Sequence, residues 1–201
     1  ATMPAPLVVM LHGACMNPMM TAYLTKFNEV SDREGFLVAY PRGIDHRWNS
    51  GLNSRRFPNV DDVGFVAKMI AELRDDYAVD PGRIYVAGSS NGGMLAHMVA
   101  CQLSETIAAA APVVGAWPEA AECPPGQPVP ILMINSVDDP RVDWHGGALL
   151  PGNTARVLSA EDTVQFWVRR NNANPTPEET WLPRREGQGE SRVLRKFYKG
   201  Q

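Results

Sequence analysis

Continuous apolar runs alternate along the chain with segments whose apolar residues recur every three or four positions. The runs Leu7–Leu11 and Pro130–Asn135 are typical of strands buried on both faces. The predicted strands, in chain order, are 7–11, 36–40, 84–87, 107–115, 130–135 and, less regularly, 192–198. The predicted helices are 18–34, 61–77, 94–103 and 159–171. This alternation predicts an α/β protein with a mostly parallel, doubly wound sheet and helices on both faces.

Length and charge narrow the class of protein. We expect one domain over residues 1–201, because this length supports one sizeable core and not two. A net charge of -3 with scattered Lys and Arg argues against a nucleic-acid partner. No apolar run reaches the roughly 18 residues of a membrane span, and the N-terminus shows no signal peptide. The cysteines form no metal-binding pattern.

The segment Gly88-Ser89-Ser90-Asn91-Gly92-Gly93 connects a predicted strand to a predicted helix. A serine at the apex of such a sharp turn holds its hydroxyl exposed above the end of the strand, and glycines let the two backbones pass closely. Ser90 is therefore the candidate nucleophile. The alternative is a Gly/Ser turn that only connects the two elements.

A second turn, His12-Gly13, ends the first predicted strand. In a hydrolase of this plan, a backbone N–H just past this turn joins the N–H of Asn91 to bind the oxyanion of a tetrahedral intermediate. The donor is Ala14, with Cys15 as the alternative. His12 is expected to brace the loop, and an ordinary strand-ending turn remains the other interpretation.

Two further segments contain candidate site residues. Asp138 and Asp139 follow a predicted strand, where an acid orients the histidine of a Ser-His-Asp triad, although Asp-Pro also favours turns. Trp48 lies in the long polar loop 42–60. It is predicted either to offer a flat face to a substrate or to cover the core.

Cys101 and Cys123 are candidates for a disulfide bridge. Such a bridge would imply an oxidising compartment. The alternative is a pair of buried free thiols, and the spacing does not choose between the two.

Several segments together resemble the polyhydroxybutyrate depolymerase and feruloyl esterase family of secreted α/β-hydrolases. They are Leu11–Gly13, Arg47–Asn49, Asp61–Phe65, Gly88–Met94, Ala111–Gly115 and Asp139–Pro140. The resemblance covers most of residues 7–171. It implies ester hydrolysis by Ser90 with Asp139 as the triad acid. It also favours a Cys101–Cys123 bridge and a secreted or periplasmic location.

The general base is the point at which the chain departs from that family. The family places its histidine near the C-terminus, in a Gly-Gly-His-x-Trp-like segment that does not occur in this sequence. We therefore expect a sequence truncated at both ends, with the histidine beyond residue 201. His145, which follows Asp139, is the alternative within the chain.

The sequence therefore predicts a serine carboxylic-ester hydrolase that needs no cofactor or metal. Feruloyl esters, polyhydroxyalkanoate-type esters and small acyl esters are the candidate substrates. The alternatives are a non-catalytic protein of this fold that binds an ester or aromatic ligand, and a peptidase or dienelactone-type hydrolase. Without the base the chain would hydrolyse esters poorly.

Overall fold

A computed structural model of the protein describes residues 3–52, 57–149, 155–184, 187 and 189–200. The strands are β1 (Ala5–Leu11), β2 (Leu37–Ala39), β3 (Val79–Ser89), β4 (Ala109–Val113), β5 (Gly147–Ala148), β6 (Arg156–Val157), β7 (Glu178–Trp181) and β8 (Leu194–Phe197). The helices are α1 (Pro18–Thr25), α2 (Phe27–Glu34), α3 (Asp62–Asp76), α4 (Asn91–Gln102) and α5 (Ala160–Arg170), with a 3-10 turn at Ile44–His46.

The central element is a four-stranded parallel sheet in the order β2-β1-β3-β4, which confirms the predicted α/β architecture. The chain runs from β1 outward to β2 and then returns across β1 to form β3. The connection after β1 therefore leads toward the β2 edge of the sheet, and the connection after β3 leads toward the β4 edge. In open α/β sheets ligands bind at such a switch point. Here Leu11 of β1 pairs with Gly88 of β3, so the two predicted turns lie side by side.

Helices α3 and α5 begin at the residues that the sequence predicts. Gly64 N–H donates to Asp61 Oδ1 at 2.8 Å, and Asp162 N–H donates to Ser159 Oγ at 2.9 Å. Each cap satisfies one of the backbone donors that a helix start leaves without an acceptor. The predicted helix 18–34 is instead two helices. It breaks at Lys26, whose φ of 50° is left-handed, and the sequence has neither glycine nor proline there.

The prediction that Pro130–Asn135 is a strand buried on both faces is wrong. Its backbone runs parallel to β4, since Leu132 N–H donates to Ala110 O at 2.9 Å. However, Leu132 and Ile134 are 62% and 52% exposed. Within the described residues this segment lies at the outer edge of the sheet, where only the face that carries Ile131 packs against the core. The predicted strand 192–198 is present as β8, which pairs with β7, a strand that the sequence did not predict.

Helix α4 is buried along its whole length from Asn91 to Cys101. Trp167 Nε1–H donates to His97 Nδ1 at 2.9 Å, so His97 donates through Nε2 to Gly115 O at 3.3 Å. Burial lowers the pKa of His97 to about 4, which keeps it neutral as a packing residue.

A disulfide joins Cys101, at the end of α4, to Cys123, with a Cα–Cα distance of 5.7 Å. It links the last turn of the buried helix to the proline-rich loop that precedes Pro130–Asn135. In the part of the chain that the structure describes, no helix is long and apolar enough to cross a bilayer.

Candidate active site

Ser90 lies at a sharp turn between β3 and α4. Its φ of 53° and ψ of -118° fall in a region that non-glycine residues rarely adopt, and such backbone strain clusters at functional sites. Ser90 N–H donates to Val113 O of β4 at 2.8 Å, and Ser90 O accepts from Met94 N–H at 2.9 Å. The serine is half-buried at the first turn of the helix. The backbone is therefore held from both sides in a conformation that a simple connecting turn does not need.

The glycines around Ser90 are required by close backbone packing. A Cβ on Gly88 would collide with the backbone of Gly92. A Cβ on Gly92 would collide with the carbonyls of Leu11 and His12 at the end of β1. The helix start therefore rests directly against both central strands, which only glycine permits.

The turn after β1 spans Gly13–Met16, with Met16 N–H donating to Gly13 O at 3.2 Å. Cys15 has a φ of 65°, and its N–H donates to His46 O at 2.9 Å. That donor is therefore occupied, which argues against Cys15 as an oxyanion donor. The N–H groups of Ala14 and Asn91 have no acceptor among the residues that the structure describes. Of the two alternatives at this turn, Ala14 is the one with a free donor.

Asp139 lies on the loop that follows the edge segment beside β4. Its Oδ1 accepts the N–H groups of Arg141 and Val142, each at 2.8 Å. The carboxylate is half-buried and lines a crevice with Val114 and Trp144, whereas Asp138 is exposed. Two backbone donors thus fix one carboxylate oxygen and leave the other to accept from a partner.

No histidine within the described ranges completes a triad with these two residues. His145 is exposed, its N–H donates to Asp143 Oδ1, and its imidazole makes no hydrogen bond to a described residue. His12 is fully buried: Nε2 accepts from Gly43 N–H at 3.0 Å and Nδ1 donates to Gly13 O at 2.8 Å. Burial lowers the pKa of His12, so the ring is neutral and both nitrogens are engaged, as expected of a loop-bracing residue.

The prediction that Trp48 offers a face to a substrate is wrong in this structure, because its side chain is 0% exposed. The indole lies against the His12 ring with centroids 4.7 Å apart, and Nε1–H donates to His12 O at 2.8 Å. The backbone N–H of Trp48 donates to Asn91 Oδ1 at 2.7 Å. The structure thus agrees with the alternative, a loop tryptophan that covers the core.

Sequence reasoning missed a buried carboxylate behind this loop. Asp62 is 5% exposed, and its Oδ2 accepts Asn49 N–H at 2.6 Å. Burial raises the pKa of Asp62, while the hydrogen bond from Asn49 opposes that shift. Asp62 directly follows the predicted cap Asp61 and lies in the family-like segment Asp61–Phe65, and these are the signals in the sequence that could have drawn attention to it.

We expect Asp62→Asn to gain stability relative to the wild type as pH rises. Because folding raises the pKa of Asp62, its contribution to the free energy of unfolding is greatest below the pKa of the unfolded state. That contribution is lost as pH rises through the folded-state pKa. Asparagine keeps an acceptor for Asn49 N–H and does not ionise in this range.

Urea denaturation from pH 4 to pH 7 measures the effect on unfolding free energy. The difference between Asp62→Asn and the wild type should shift in favour of the variant as pH rises. Asp61→Asn preserves the cap and removes the neighbouring charge that also raises the pKa of Asp62, so its pH dependence should lie between those of the wild type and Asp62→Asn. Parallel curves for Asp62→Asn and the wild type would contradict the prediction.

Comparison with known proteins gives the family. Residues 1–121, more than half of the chain, match the model of the family described as esterase PHB depolymerase. The chain belongs to this family. Curated relatives of this PHB depolymerase family protein include feruloyl esterase B of Piromyces equi, 28% identical over 185 residues. That match covers 87% of the chain and 34% of the relative. A bifunctional acetylxylan esterase/xylanase of Neocallimastix patriciarum is 30% identical over 183 residues, which cover 89% of the chain and 26% of the relative.

Solved structures of the α/β-hydrolase fold show the same architecture. Acetyl xylan esterase from Aspergillus awamori aligns with a TM-score of 0.56 at 18% identity, over 87% of this family member and 73% of that enzyme. A thermostable esterase aligns with a TM-score of 0.57 at 22% identity, over 84% of this chain and 43% of that esterase. The predicted α/β-hydrolase fold is thus confirmed. The chain spans about a third or less of the length of the two curated relatives described above.

Proposed function

We propose that this protein is a serine carboxylic-ester hydrolase with Ser90 as its nucleophile. The strained turn at Ser90, beside the N–H groups of Ala14 and Asn91 that have no acceptor among the described residues, is the observation that carries the proposal. A serine hydroxyl at the start of a helix, with nearby backbone N–H groups available to bind an oxyanion, is the arrangement that acyl transfer requires. Family membership supports the same reaction class.

In the proposed reaction Ser90 Oγ attacks the ester carbonyl carbon while a histidine takes the hydroxyl proton. The negative charge that develops on the carbonyl oxygen is bound by the N–H groups of Ala14 and Asn91. The C–O bond then breaks, the alcohol leaves with the proton from the histidine, and acyl-Ser90 remains. A water molecule activated by the same histidine hydrolyses the acyl group. Asp139 accepts from that histidine and orients it.

The base in this scheme is a histidine whose position stays a proposal with two alternatives. One is His145, six positions beyond Asp139 on an exposed loop. The other is a histidine outside residues 1–201. Among the described residues no imidazole hydrogen-bonds Ser90 or Asp139. This observation favours a second candidate function, a non-catalytic protein of this fold that binds an ester or aromatic ligand.

The proposed substrates are feruloyl, polyhydroxyalkanoate-type or small acyl esters. Two relatives are named feruloyl esterases, and another is named poly(3-hydroxyalkanoate) depolymerase C. The Cys101–Cys123 disulfide supports a secreted or periplasmic location, since such bonds persist in oxidising compartments. Fractionation of the native host tests that location.

A fluorophosphonate probe tests the nucleophile. In the full-length protein we expect a covalent phosphonyl adduct on Ser90, located by peptide mass spectrometry, and no adduct in Ser90→Ala. Ser89→Ala is the matched control, because it removes the adjacent hydroxyl and should keep the label. Loss of the label in His145→Ala would assign the base to His145. An unlabelled wild type that binds a hydroxycinnamate ester without turnover would favour the binding protein.

A further inference from the structure

We propose that the segment Gly43–Ser50 is a brace that holds the two oxyanion donors, Ala14 N–H and Asn91 N–H, at a fixed separation. Trp48 and the side chain of Asn91 act as its positioning residues. This inference rests on the proposed function, since it assigns how that oxyanion site is maintained. Neither residue's side chain is proposed to touch the substrate. Their effect is on the position of the backbone donors.

The Gly43–Ser50 segment is attached to the end of β1 through His12. Gly43 N–H donates to His12 Nε2 at 3.0 Å, and Trp48 Nε1–H donates to His12 O at 2.8 Å. The indole also packs on the imidazole, and both side chains are fully buried. Buried groups of this kind are costly to leave without partners, so these bonds resist separation of the segment from β1.

The same segment is attached to the turn that carries Ala14. His46 O accepts Cys15 N–H at 2.9 Å, and His46 Nδ1–H donates to Met16 O at 3.0 Å. These two bonds fix Cys15 and Met16, the last two residues of the turn, and Ala14 is the residue directly before them. Movement of the Gly43–Ser50 segment would therefore move the Ala14 donor.

The opposite end of the segment is attached to the start of α4 through Asn91. Asn91 Oδ1 accepts Trp48 N–H at 2.7 Å, and Asn91 Nδ2–H donates to Trp48 O and to Ser50 Oγ, each at 3.1 Å. Asn91 is 7% exposed. Asn91, whose backbone N–H is a proposed oxyanion donor, is thus hydrogen-bonded through its side chain to Trp48. The indole of Trp48 in turn hydrogen-bonds His12 O at the end of β1.

The spacing of the two donors is limited from both directions. Gly92 packs against the carbonyls of Leu11 and His12, so α4 cannot approach β1 further. The hydrogen bonds through Trp48 and Asn91 oppose movement apart. An oxyanion site works only if both donors lie about 2.7–3.1 Å from the developing charge. A misplacement of about 1 Å can lower the rate about a hundredfold.

Trp48→Phe and Asn91→Ala in the full-length protein test the brace. Both leave the backbone donors in place. Trp48→Phe deletes the bond to His12 O together with part of the ring that packs on the imidazole, and Asn91→Ala deletes the side-chain bonds to Trp48 and Ser50. We expect kcat for a p-nitrophenyl ester to fall about tenfold to a hundredfold, with KM within about twofold. Hydrogen exchange at the amides of residues 13–16 should accelerate in both variants, because the turn loses its support.

Trp167→Phe is the matched control. It also deletes a buried indole-to-histidine hydrogen bond beside α4, but on His97, away from the Gly43–Ser50 segment. It should lower the unfolding temperature while leaving kcat and exchange at residues 13–16 close to the wild type. If turnover depends on Ser90 but Trp48→Phe and Trp167→Phe have equal kcat, the positioning role is overturned while the proposed function stands. A wild type whose turnover equals that of Ser90→Ala would overturn the proposed function and, with it, the positioning role.

Discussion

Asp139→Asn is expected to lower kcat about ten-thousand-fold in the full-length protein, as substitution of the orienting acid does in other serine hydrolases. The introduced asparagine can keep its carbonyl oxygen toward the N–H groups of Arg141 and Val142, which fix Oδ1 in the native protein. Its NH2 group would then face the partner that the free carboxylate oxygen is proposed to orient. A donor at that position favours the wrong histidine tautomer while leaving the loop folded.

Asp138→Asn is the matched control for this experiment. It removes one negative charge at the adjacent position, from an exposed side chain that does not line the crevice. We expect its kcat to stay within about threefold of the wild type, because exposed charges interact weakly through water. Steady-state kinetics with a p-nitrophenyl ester and thermal unfolding measure the two effects. Comparable losses in the two variants would remove Asp139 from the proposed mechanism.

Features that depend on a few neighbouring residues could be predicted from the sequence. The caps of α3 and α5 follow from Asp61 and Ser159 alone, since each side chain accepts from a donor three residues later. The Ser90 turn follows from Gly88 and Gly92, whose missing side chains let β1, β3 and α4 pack closely. Such local rules need no knowledge of the remaining chain.

Features that depend on distant partners could not be predicted. Trp48 is buried because it bonds His12 and Asn91, which are 36 and 43 positions away in the sequence. The exposure of Leu132 depends on which elements pack against the sheet edge, and hydropathy alone cannot show this. The helix break at Lys26 has no local signal. The general base could not be predicted for the same reason, because chain order identifies candidates and only spatial proximity selects one.

The choice between Ala14 and Cys15 as oxyanion donor shows how a single contact separates two neighbours. Both residues follow Gly13, and the sequence predicts Ala14 as the donor with Cys15 as the alternative. Cys15 N–H donates to His46 O, whereas Ala14 N–H has no acceptor among the residues that the structure describes. The hypothesis for this turn therefore becomes specific enough for a one-residue test.

Ala14→Pro is expected to lower kcat/KM about a hundredfold to a thousandfold, because proline has no N–H to donate to the oxyanion. The turn Gly13–Met16 should tolerate it. A positive φ at Cys15, its third position, and not at Ala14, its second, is the pattern of a type II turn, which favours proline at the second position. Cys15 keeps its bond to His46, so the turn stays attached to the Gly43–Ser50 segment.

Thermal unfolding distinguishes a lost donor from a lost fold. An unfolding temperature close to the wild type, together with the expected fall in kcat/KM, assigns the effect to the Ala14 donor position, where the proline Cδ replaces the N–H hydrogen, since proline in a compatible turn is neutral or stabilising. Reaction with the fluorophosphonate probe should also slow, because the same donor binds the phosphonyl oxygen as charge develops on it. Unchanged kinetics in a folded Ala14→Pro variant would show that Ala14 N–H does not bind the oxyanion. The second donor beside Asn91 N–H would then be a different group.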